Sequence, residues 1–568
     1  MDRRTFVTSL TAAAAGLTVA RPTGFWLPAG ASVVLDDPST WPPARAVDGS
    51  DYQVVSAFPC GIASGDPTPS RVTLWTRVDP SLDAGAGVPV EVSVATDPDL
   101  TNVIAGASAV ADPSSDYTLH FDIGDLTAGS TYFYRFSAGD SVSPLGRTRT
   151  AAGPDNPSPL RLAAFSCQRW THGYFNVHRY LASLAASPAT DLDVVVSLGD
   201  YVYDTGPADG VEVAGRVDPI TRAQTLEDFR GKYRLYRSDP YLQAMHAAFP
   251  VVAIFDNHDG MADPLDSQGP GAVGAFWEYQ PLGPEARSSR QQYRRLQWGS
   301  TVDLFLTDQR SFRDPEVRPA PGTSNPLGLS SLTYPEMLDP NRTMLGATQL
   351  SWLLEGLTSS TATWRTIGSQ LMFWPWRSQF FASRRVASDP YRRNPGSYLN
   401  MTQWDGYQGE RQKILDALAA ENIKRTIVLS GDSHVWSAGQ VAPDWDDPMA
   451  TPVVMEFGPS SVTSANAREQ SRYPSTAAVL PFLQAANPFT MTFFKAEDHG
   501  VAIVEFGPTR VSVIFAEAVS ITTPGSEMRV LTSFELPTST DTPTRPGGGP
   551  DPETSSAGPV SAAPAFTG

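Results

Sequence analysis

Two patterns of hydrophobic and polar residues divide the chain. Between about residues 50 and 150, apolar and polar positions alternate in short runs, which are separated by turns rich in Gly, Pro, Asp and Ser. Alternation with a period of two is typical of strands with one buried face, and strands at this spacing are typical of a β-sandwich. The pattern predicts an all-β domain over residues 50–150, with strands at 72–78, 90–95, 117–123 and 131–138.

A different pattern begins after a linker at 151–159. Short apolar runs, typical of buried strands, alternate with segments whose apolar residues recur every three or four positions. This alternation predicts an α/β domain over residues 159–535, in which a layered β-sheet core is flanked by helices. The predicted strands are 162–165, 194–197, 251–255, 302–307, 365–369, 426–430, 453–457, 501–506 and 511–516. The predicted helices begin at residue 175 and lie at 226–236, 346–357 and 410–422.

The two ends of the chain differ from these domains. Arg3 and Arg4 precede the uncharged apolar run 7–20 and small residues at 29–31, a combination that resembles a twin-arginine export signal. We therefore expect residues 1–31 to be a signal peptide for the twin-arginine translocase, and the mature chain to be secreted, periplasmic or associated with the cell wall. The apolar run is too short to span a membrane, so the mature chain is expected to have no transmembrane segment. Residues 537–568 are rich in Pro, Gly, Ser and Thr and are predicted to be disordered.

Length, charge and cysteine content narrow the function classes. A chain of 568 residues is too long for one core, so it contains at least two domains. The formal net charge of −18 argues against a nucleic-acid partner. Two cysteines exclude a disulfide scaffold, and a bond between them is not expected. Cys60, between Pro59 and Gly61, is expected to be a core residue.

Four polar clusters follow predicted strands of the α/β domain. They are Ser-Cys-Gln-Arg at 166–169, Gly-Asp-Tyr-Val-Tyr at 199–203, Asp-Asn-His-Asp at 256–259 and Gly-Asp-Ser-His at 431–434. In α/β sheets, ligands bind in the crevice at the carboxyl ends of the strands. Thiol, carboxylate, phenol, amide and imidazole groups are all metal ligands. The four clusters together therefore predict a metal site.

The clusters also resemble the motifs of a known family. Clusters 199–203 and 256–259 are similar to the Gly-Asp-x-x-(Asp/Tyr) and Asn-His-(Asp/Glu) signatures of calcineurin-like metallophosphatases, and Tyr203 is similar to the iron-binding tyrosine of purple acid phosphatases. Cys167 stands where the wider superfamily has Asp-x-His, and cluster 431–434 stands where it has Gly-His-x-His. With these differences, residues 50–520 resemble the PhoD-type alkaline phosphatase and phosphodiesterase family. Segment 126–136 resembles the late strands of a fibronectin type III or immunoglobulin-like sandwich.

The donor chemistry and the resemblance together suggest one ion, Fe³⁺. A thiolate and a phenolate are strongly donating anionic ligands that favour ferric iron. Cys167, Asp200 and Tyr203 are therefore expected to hold the iron, together with either His434 or Asp432. The division of these last two residues between metals stays open.

The resemblance implies a second ion, Ca²⁺, which the family uses beside iron. Calcium prefers oxygen ligands, and Asp200 as a bridge, Asn257 and Asp432 supply them. The resemblance also implies that His258 lies close to substrate, where it stabilises charge or protonates the leaving oxygen. The paired N–H groups of a guanidinium match the geometry of phosphate oxygens. Arg169 is therefore the candidate substrate contact, with Arg310 and Arg313 as further candidates.

The expected function is metal-dependent hydrolysis of phosphate esters by an exported enzyme similar to alkaline phosphatase D. In such a reaction a metal-activated water attacks the phosphoryl group. Two alternatives remain at this point. The first is a phosphodiesterase or phospholipase D-like hydrolase that acts on phospholipid or teichoic acid. The second is an exported binding protein built on the fibronectin-like domain.

Overall fold

The computed structural model of the protein describes residues 52–206, 212–260, 271–317, 334–378, 397–423, 425–470, 472 and 474–538. The predicted signal peptide at 1–31 and residues 539–568 of the predicted tail lie outside this described part. Strand is the main secondary structure. In chain order the strands are β1 (Ile62–Gly65), β2 (Val72–Arg77), β3 (Val88–Ala95), β4 (Val103–Ala111), β5 (Thr118–Ile123), β6 (Thr131–Ala138), β7 (Ser141–Val142), β8 (Gly146–Arg149), β9 (Leu160–Phe165), β10 (Val194–Ser197), β11 (Pro250–Ala253), β12 (Arg294–Trp298), β13 (Val302–Leu306), β14 (Trp364–Ser369), β15 (Arg377–Ser378), β16 (Ser397–Tyr398), β17 (Thr426–Ser430), β18 (Trp436–Val441), β19 (Val454–Gly458), β20 (Met491–Lys495), β21 (Gly500–Phe506), β22 (Arg510–Ala518) and β23 (Met528–Pro537).

The helix Leu226–Arg237 begins at residues that suit a helix start. Thr225 and Asp228 form a capping box, in which the Asp228 N–H donates to Thr225 Oγ1 (3.1 Å) and the Thr225 N–H donates to Asp228 Oδ2 (2.9 Å). No helix in the described ranges has the length and apolar content needed to cross a membrane. In chain order the α-helices are α1 (Asn176–Leu184), α2 (Leu226–Arg237), α3 (Pro240–Ala248), α4 (Gly271–Tyr279), α5 (Pro284–Ser289), α6 (Gly346–Ser359), α7 (Gln408–Ala420) and α8 (Thr476–Ala486).

Two large sheets form the centre of the α/β domain. One has nine strands in the order β23-β22-β21-β9-β10-β11-β1-β2-β5, and the other has seven in the order β12-β13-β14-β17-β19-β18-β20. Their inner faces meet through aromatic side chains, with ring centroids of Trp436 and Phe515 5.0 Å apart and those of Phe457 and Phe534 5.3 Å apart. Helices α1–α4 pack on the outer face of the nine-stranded sheet, and α6–α8 pack on that of the seven-stranded sheet. The predicted α/β layering with flanking helices is confirmed.

Each sheet contains a central group of parallel strands. Strands β9, β10 and β11 run side by side in the first sheet, and β13, β14, β17 and β19 do so in the second. Parallel neighbours are typically buried on both faces, and all four residues of β10 are buried. The polar clusters that follow β9, β10, β11 and β17 therefore lie at the carboxyl ends of buried strands.

The amino-terminal sandwich shares a sheet with the α/β domain. One of its layers is the sheet β4-β3-β6-β7, with β8 paired to β6, and the facing layer is β1, β2 and β5. Strand β1 also pairs in parallel with β11, at Ser64 with Pro250 and at Gly65 with Val251. Both faces of β2 are buried: Leu74 lies in the sandwich core and Trp75 lies in the α/β core. The predicted sandwich is present, and it is continuous with the nine-stranded sheet.

Candidate metal centre

Four of the predicted ligands share an unusual backbone conformation. Cys167, Asp200, Asp432 and His434 have φ angles of 60°, 54°, 61° and 54°. The left-handed region is unfavourable for residues other than Gly, and it costs of order 1–3 kcal/mol per residue. Such strain persists where the surrounding fold enforces it, and it clusters at functional sites. Here it turns the chain sharply just after β9, β10 and β17.

Gly199 lets two of these strand ends approach each other. Its φ is 110°, and a Cβ atom built on it would lie 2.4 Å from Cβ of Asp256. Any side chain at this position would push the turn after β10 away from the turn after β11. The glycine therefore brings Asp200 next to cluster 256–259, where Asp200 Oδ1 accepts a hydrogen bond from the His258 N–H (3.0 Å).

The expected iron ligands converge on one point. Cys167 Sγ, an Asp200 carboxylate oxygen and a His434 ring nitrogen all lie within 4.8 Å of one another. Cys167 Sγ is 3.7 Å from Asp200 Oδ2, and the Tyr203 hydroxyl is 3.0 Å from the same oxygen. The Tyr203 hydroxyl is also 3.5 Å from Nε2 of His434. Residues from three separate strand ends thus meet in one buried cluster.

A backbone contact orients His434. Its Nδ1 lies 2.7 Å from the carbonyl oxygen of Ala465. In the tautomer with the proton on Nδ1, this contact is a hydrogen bond to the carbonyl and Nε2 keeps a free lone pair. That lone pair faces Tyr203 and the cluster, which is the arrangement that metal-binding histidines adopt.

The electrostatics of the cluster favour a cation. Burial raises the pKa of the Cys167 thiol well above its usual value, and the nearby carboxylate of Asp200 raises it further. The pKa of Tyr203 is likewise raised well above its usual value by burial first and by Asp200 second. Both groups stay neutral beside a carboxylate, whereas a positive ion would favour the thiolate and the phenolate. The donor set of sulfur, oxygen and nitrogen fits a transition metal.

The expected calcium ligands lie around one buried arginine. Nη2 of Arg310 lies 3.2 Å from Asn257 Oδ1 and 3.3 Å from Asp432 Oδ1, and Nε donates to Asp256 Oδ1. Gln403 Nε2 donates to the other Asp432 oxygen (2.6 Å). Burial acts to raise the pKa of Asp432, but Arg310 and other neighbours outweigh it and hold that pKa below its usual value. These amide and carboxylate oxygens are of the kind that a hard cation binds, and in this structure Arg310 holds them together.

Asp256 and Gln403 are members of this group that the sequence analysis missed. Asp256 Oδ2 is buried and has no hydrogen-bond partner within the described residues. Burial raises the pKa of Asp256 to about 7, although Arg310 opposes this. Asp256 could have been recognised from the sequence, because it stands directly before Asn257 in a polar cluster. Gln403 could not have been recognised in this way, because it lies in a loop that is distant in sequence from every cluster.

The predicted catalytic residue, His258, stands beside the cluster. Its Nδ1 is 2.7 Å from Asp204 Oδ1, its ring stacks on Tyr203 with centroids 4.2 Å apart, and its side chain is 30% exposed. Burial acts to lower the pKa of His258, but the carboxylates of Asp200 and Asp204 outweigh it and raise that pKa. The imidazole is thus held at the edge of the cluster with one face open.

The candidate substrate contact, Arg169, is engaged by protein groups. Its Nη2 donates to Thr205 Oγ1 (3.2 Å) and to the carbonyl of Gly206, and its guanidinium lies over the Tyr203 ring at 5.1 Å. The residue is 4% exposed. In this arrangement the guanidinium supports the phenol ring, and the substrate-binding role of Arg169 stays a prediction.

One segment connects the turns after strands β9 and β17. Residues 462–467, here called the clasp, follow β19 and hydrogen-bond to the turns that carry the clusters. The Ser464 N–H donates to the Cys167 carbonyl (3.0 Å), and the Ala467 N–H donates to the His434 carbonyl (3.2 Å). Most of these contacts use backbone groups, which every residue has, so no side-chain pattern in the sequence pointed to them.

The other cysteine lies away from the site. Cys60 is 2% exposed and packs in the core beside Trp75. Burial raises the pKa of its thiol to about 11. Cys60 and Cys167 are both free, in agreement with the prediction that they do not pair.

Comparisons with known proteins identify a family for most of the chain. The family model described as "PhoD-like phosphatase" matches residues 162–515, and "PhoD-like phosphatase, N-terminal domain" matches residues 44–152. Alkaline phosphatase D of Bacillus subtilis (strain 168) is 32% identical over 435 residues, which are 72% of this chain and 69% of that protein.

Two solved structures share the fold. The structure of PhoD has a TM-score of 0.72 and 28% identity, and the match covers 86% of this chain and 92% of that one. The purple acid phosphatase PPD1 from yellow lupin seeds has a TM-score of 0.51 and 12% identity, over 84% of this chain and 74% of that one. At that identity, the second match concerns the fold alone.

Proposed function

This chain belongs to the PhoD-like phosphatase family, and we propose that it hydrolyses phosphate esters with ferric iron and calcium as cofactors. The family is one of phosphoric ester hydrolases, which argues against the alternative of a binding protein without catalysis. The observation that carries the proposal is the buried cluster in which Cys167, Asp200 and His434 present three ligand atoms within 4.8 Å of one another.

The donor atoms support a division of the ligands between the two ions. Cys167, Tyr203 and His434 surround one oxygen of Asp200 and would hold iron, whereas Asn257 and Asp432 lie around Arg310 and would hold calcium with Asp200 as bridge. This division assigns His434 to iron and Asp432 to calcium. When bound, such ions polarise the phosphoryl oxygens and lower the pKa of a water molecule that attacks the phosphorus.

The chain's own residues supply positioning and proton transfer. Asp204 fixes the imidazole of His258 through Nδ1, so Nε2 is the atom available for a substrate oxygen. The raised pKa of His258 favours the protonated ring, which can donate a proton to the departing alcohol oxygen. The clasp holds the turns of Cys167 and His434 in place during the reaction.

We also propose that the protein is exported by the twin-arginine route. The support is the sequence of residues 1–31, with Arg3 and Arg4 before an uncharged apolar run. Replacement of both arginines by lysine is expected to leave the precursor inside the producing cell. Export of the doubly substituted protein at the normal rate would contradict this route.

One experiment tests the metals and the reaction together. The purified protein is analysed for iron and calcium, its visible absorption is recorded, and it is assayed with p-nitrophenyl phosphate and bis(p-nitrophenyl) phosphate. We expect both metals, a visible band from tyrosinate bound to ferric iron, and hydrolysis of the monoester. A colourless protein without iron that still hydrolysed the ester would refute the iron assignment and leave the hydrolase assignment intact.

A matched variant makes the test sharper. Cys167→Ser keeps a small polar side chain at the same strained position but removes the thiolate. It is expected to lower iron content while Cys60→Ser, a change of the same chemistry in a core position, leaves it unchanged. Equal iron content in the two variants would show that Cys167 is no ligand.

A further inference from the structure

The arginines near the site differ in what they contact. Arg169 donates to Thr205 and Gly206, and Arg310 binds Asp256, Asn257 and Asp432. The guanidinium groups of Arg169 and Arg310 are therefore held by protein groups. Arg472 is different: it is exposed, and within the described ranges its side chain forms no hydrogen bond or ion pair.

Backbone contacts hold Arg472 near His434. Its N–H donates to the carbonyl of Ala467 (2.9 Å), and the Ala467 N–H in turn donates to the carbonyl of His434 (3.2 Å). Two residues earlier, Gln470 Nε2 lies 2.8 Å from Nδ1 of His434. The backbone of Arg472 is thus connected through Ala467 to His434, a predicted metal ligand.

The positive charge of Arg472 influences two predicted metal ligands, Asp432 and His434. Burial is the largest influence on the pKa of Asp432 and on that of His434, and the positive charge of Arg472 lowers both pKa values. Both residues belong to the turn after β17, to which Ala467 of the clasp hydrogen-bonds. Arg472 is therefore near enough to Asp432 and His434 for its charge to act on both, while its side chain is exposed to solvent.

We propose that Arg472 binds the phosphoryl group of the substrate and selects phosphate monoesters over diesters. This inference rests on the proposed function, because it places the phosphorus at the cluster around Asp200. A monoester phosphoryl group has three non-bridging oxygens and up to two negative charges, whereas a diester has two such oxygens and one charge. When two oxygens face the metals, the third oxygen is present only in the monoester.

A guanidinium is the right group for this third oxygen. It stays charged at every working pH and can donate two parallel hydrogen bonds to phosphate oxygens. Because Arg472 is exposed and has no other partner in the described part of the chain, it can move to meet the substrate without breaking an existing contact. Because Arg472 is exposed to solvent, dissolved salt screens its attraction for the phosphate, and binding should weaken as salt is added.

Arg472→Gln and Arg472→Lys test the inference, with Arg510→Gln as the control. Arg510 is an exposed arginine at the start of β22, and the next residue pairs with Phe506, which pairs with Leu160 at the start of β9. Arg510 therefore lies at the opposite end of the sheet from Cys167. Its replacement by Gln removes the same charge as Arg472→Gln does. Each protein is assayed with p-nitrophenyl phosphate and bis(p-nitrophenyl) phosphate, and inorganic phosphate binding is measured by calorimetry.

We expect Arg472→Gln to raise KM for the monoester and Kd for phosphate about tenfold, the effect of losing one charged contact. KM for the diester should change less than about twofold, and Arg472→Lys should give intermediate values. Equal changes in KM for both esters, or no change in either, would overturn the inference. If the wild-type protein hydrolysed neither ester, the proposed function would fail, and phosphate binding alone would still decide the role of Arg472.

Discussion

Tyr203→Phe separates the proposed role of Tyr203 as a metal ligand from its packing role. The substitution removes only the hydroxyl, which lies 3.0 Å from Asp200 Oδ2 and 3.5 Å from His434 Nε2. The ring itself is retained, and its stacking on His258 with centroids 4.2 Å apart should persist. The change therefore acts on the metal and hardly on the shape of the site.

The expected loss of fold stability is small. A hydrogen bond to a charged group contributes about 1.5–3 kcal/mol. Cys167 Sγ remains 3.7 Å from the same oxygen, so Asp200 Oδ2 keeps a polar neighbour and the free energy of unfolding should fall by about 1.5 kcal/mol. The visible band should disappear, because the phenolate that gives rise to it is absent. Some hydrolysis should survive, since the remaining ligands can still hold the ion.

Tyr201→Phe is the matched control. Tyr201 is two residues earlier and equally buried, and its hydroxyl is 2.8 Å from Nε2 of His246. The same chemical change should lower stability by a similar amount, because a buried imidazole loses its partner, yet the visible spectrum and iron content should stay as in the wild type. A visible band that survived in Tyr203→Phe, with iron bound, would refute the assignment of Tyr203 as a ligand.

Three further predictions concern the site and the core. His258→Ala should keep both metals by elemental analysis while kcat falls by about two to four orders of magnitude, and loss of metal in this variant would contradict a purely catalytic role. Asp200→Asn should lose both metals and nearly all activity, so retention of either ion would argue against a bridge. Arg377→Met should lower the free energy of unfolding in urea by about 3–5 kcal/mol because it removes the positive charge that faces the buried carboxylate of Asp446, whereas Arg71→Met, which breaks an exposed pair, should cost below about 1 kcal/mol. Equal costs in the two arginine variants would contradict this reasoning.

Some of the strands and helices of the α/β domain could be predicted from local patterns, whereas strands β12, β18, β20 and β23 and helices α3–α5 and α8 were not predicted. Strands β10 and β17 lie at the predicted residues, and the helices near 226 and 346 begin where the pattern places them. These segments are short and buried on both faces, or amphipathic with a clear period, so neighbouring residues alone carry the signal. The polar residues that follow each strand could be recognised for the same reason.

The connection between the sandwich and the α/β domain could not be predicted from the sequence. Alternation in 72–78 indicated one buried face, whereas β2 is buried on both faces because Trp75 packs into the neighbouring core. The parallel pairing of β1 with β11 joins residues that are nearly two hundred positions apart in sequence. Nothing local to either segment specifies such a partner.

The sequence by itself determined the donor types, their order along the chain and the strands that carry them. Tertiary structure decided which donors meet, because only folding brings the turns of Cys167, Asp200 and His434 within 4.8 Å. It also decided the environment of Arg310 and the fastening of the site by the clasp. Those contacts are made by backbone amides and by side chains from distant elements, and their energies depend on position in the fold, which residue identity does not encode.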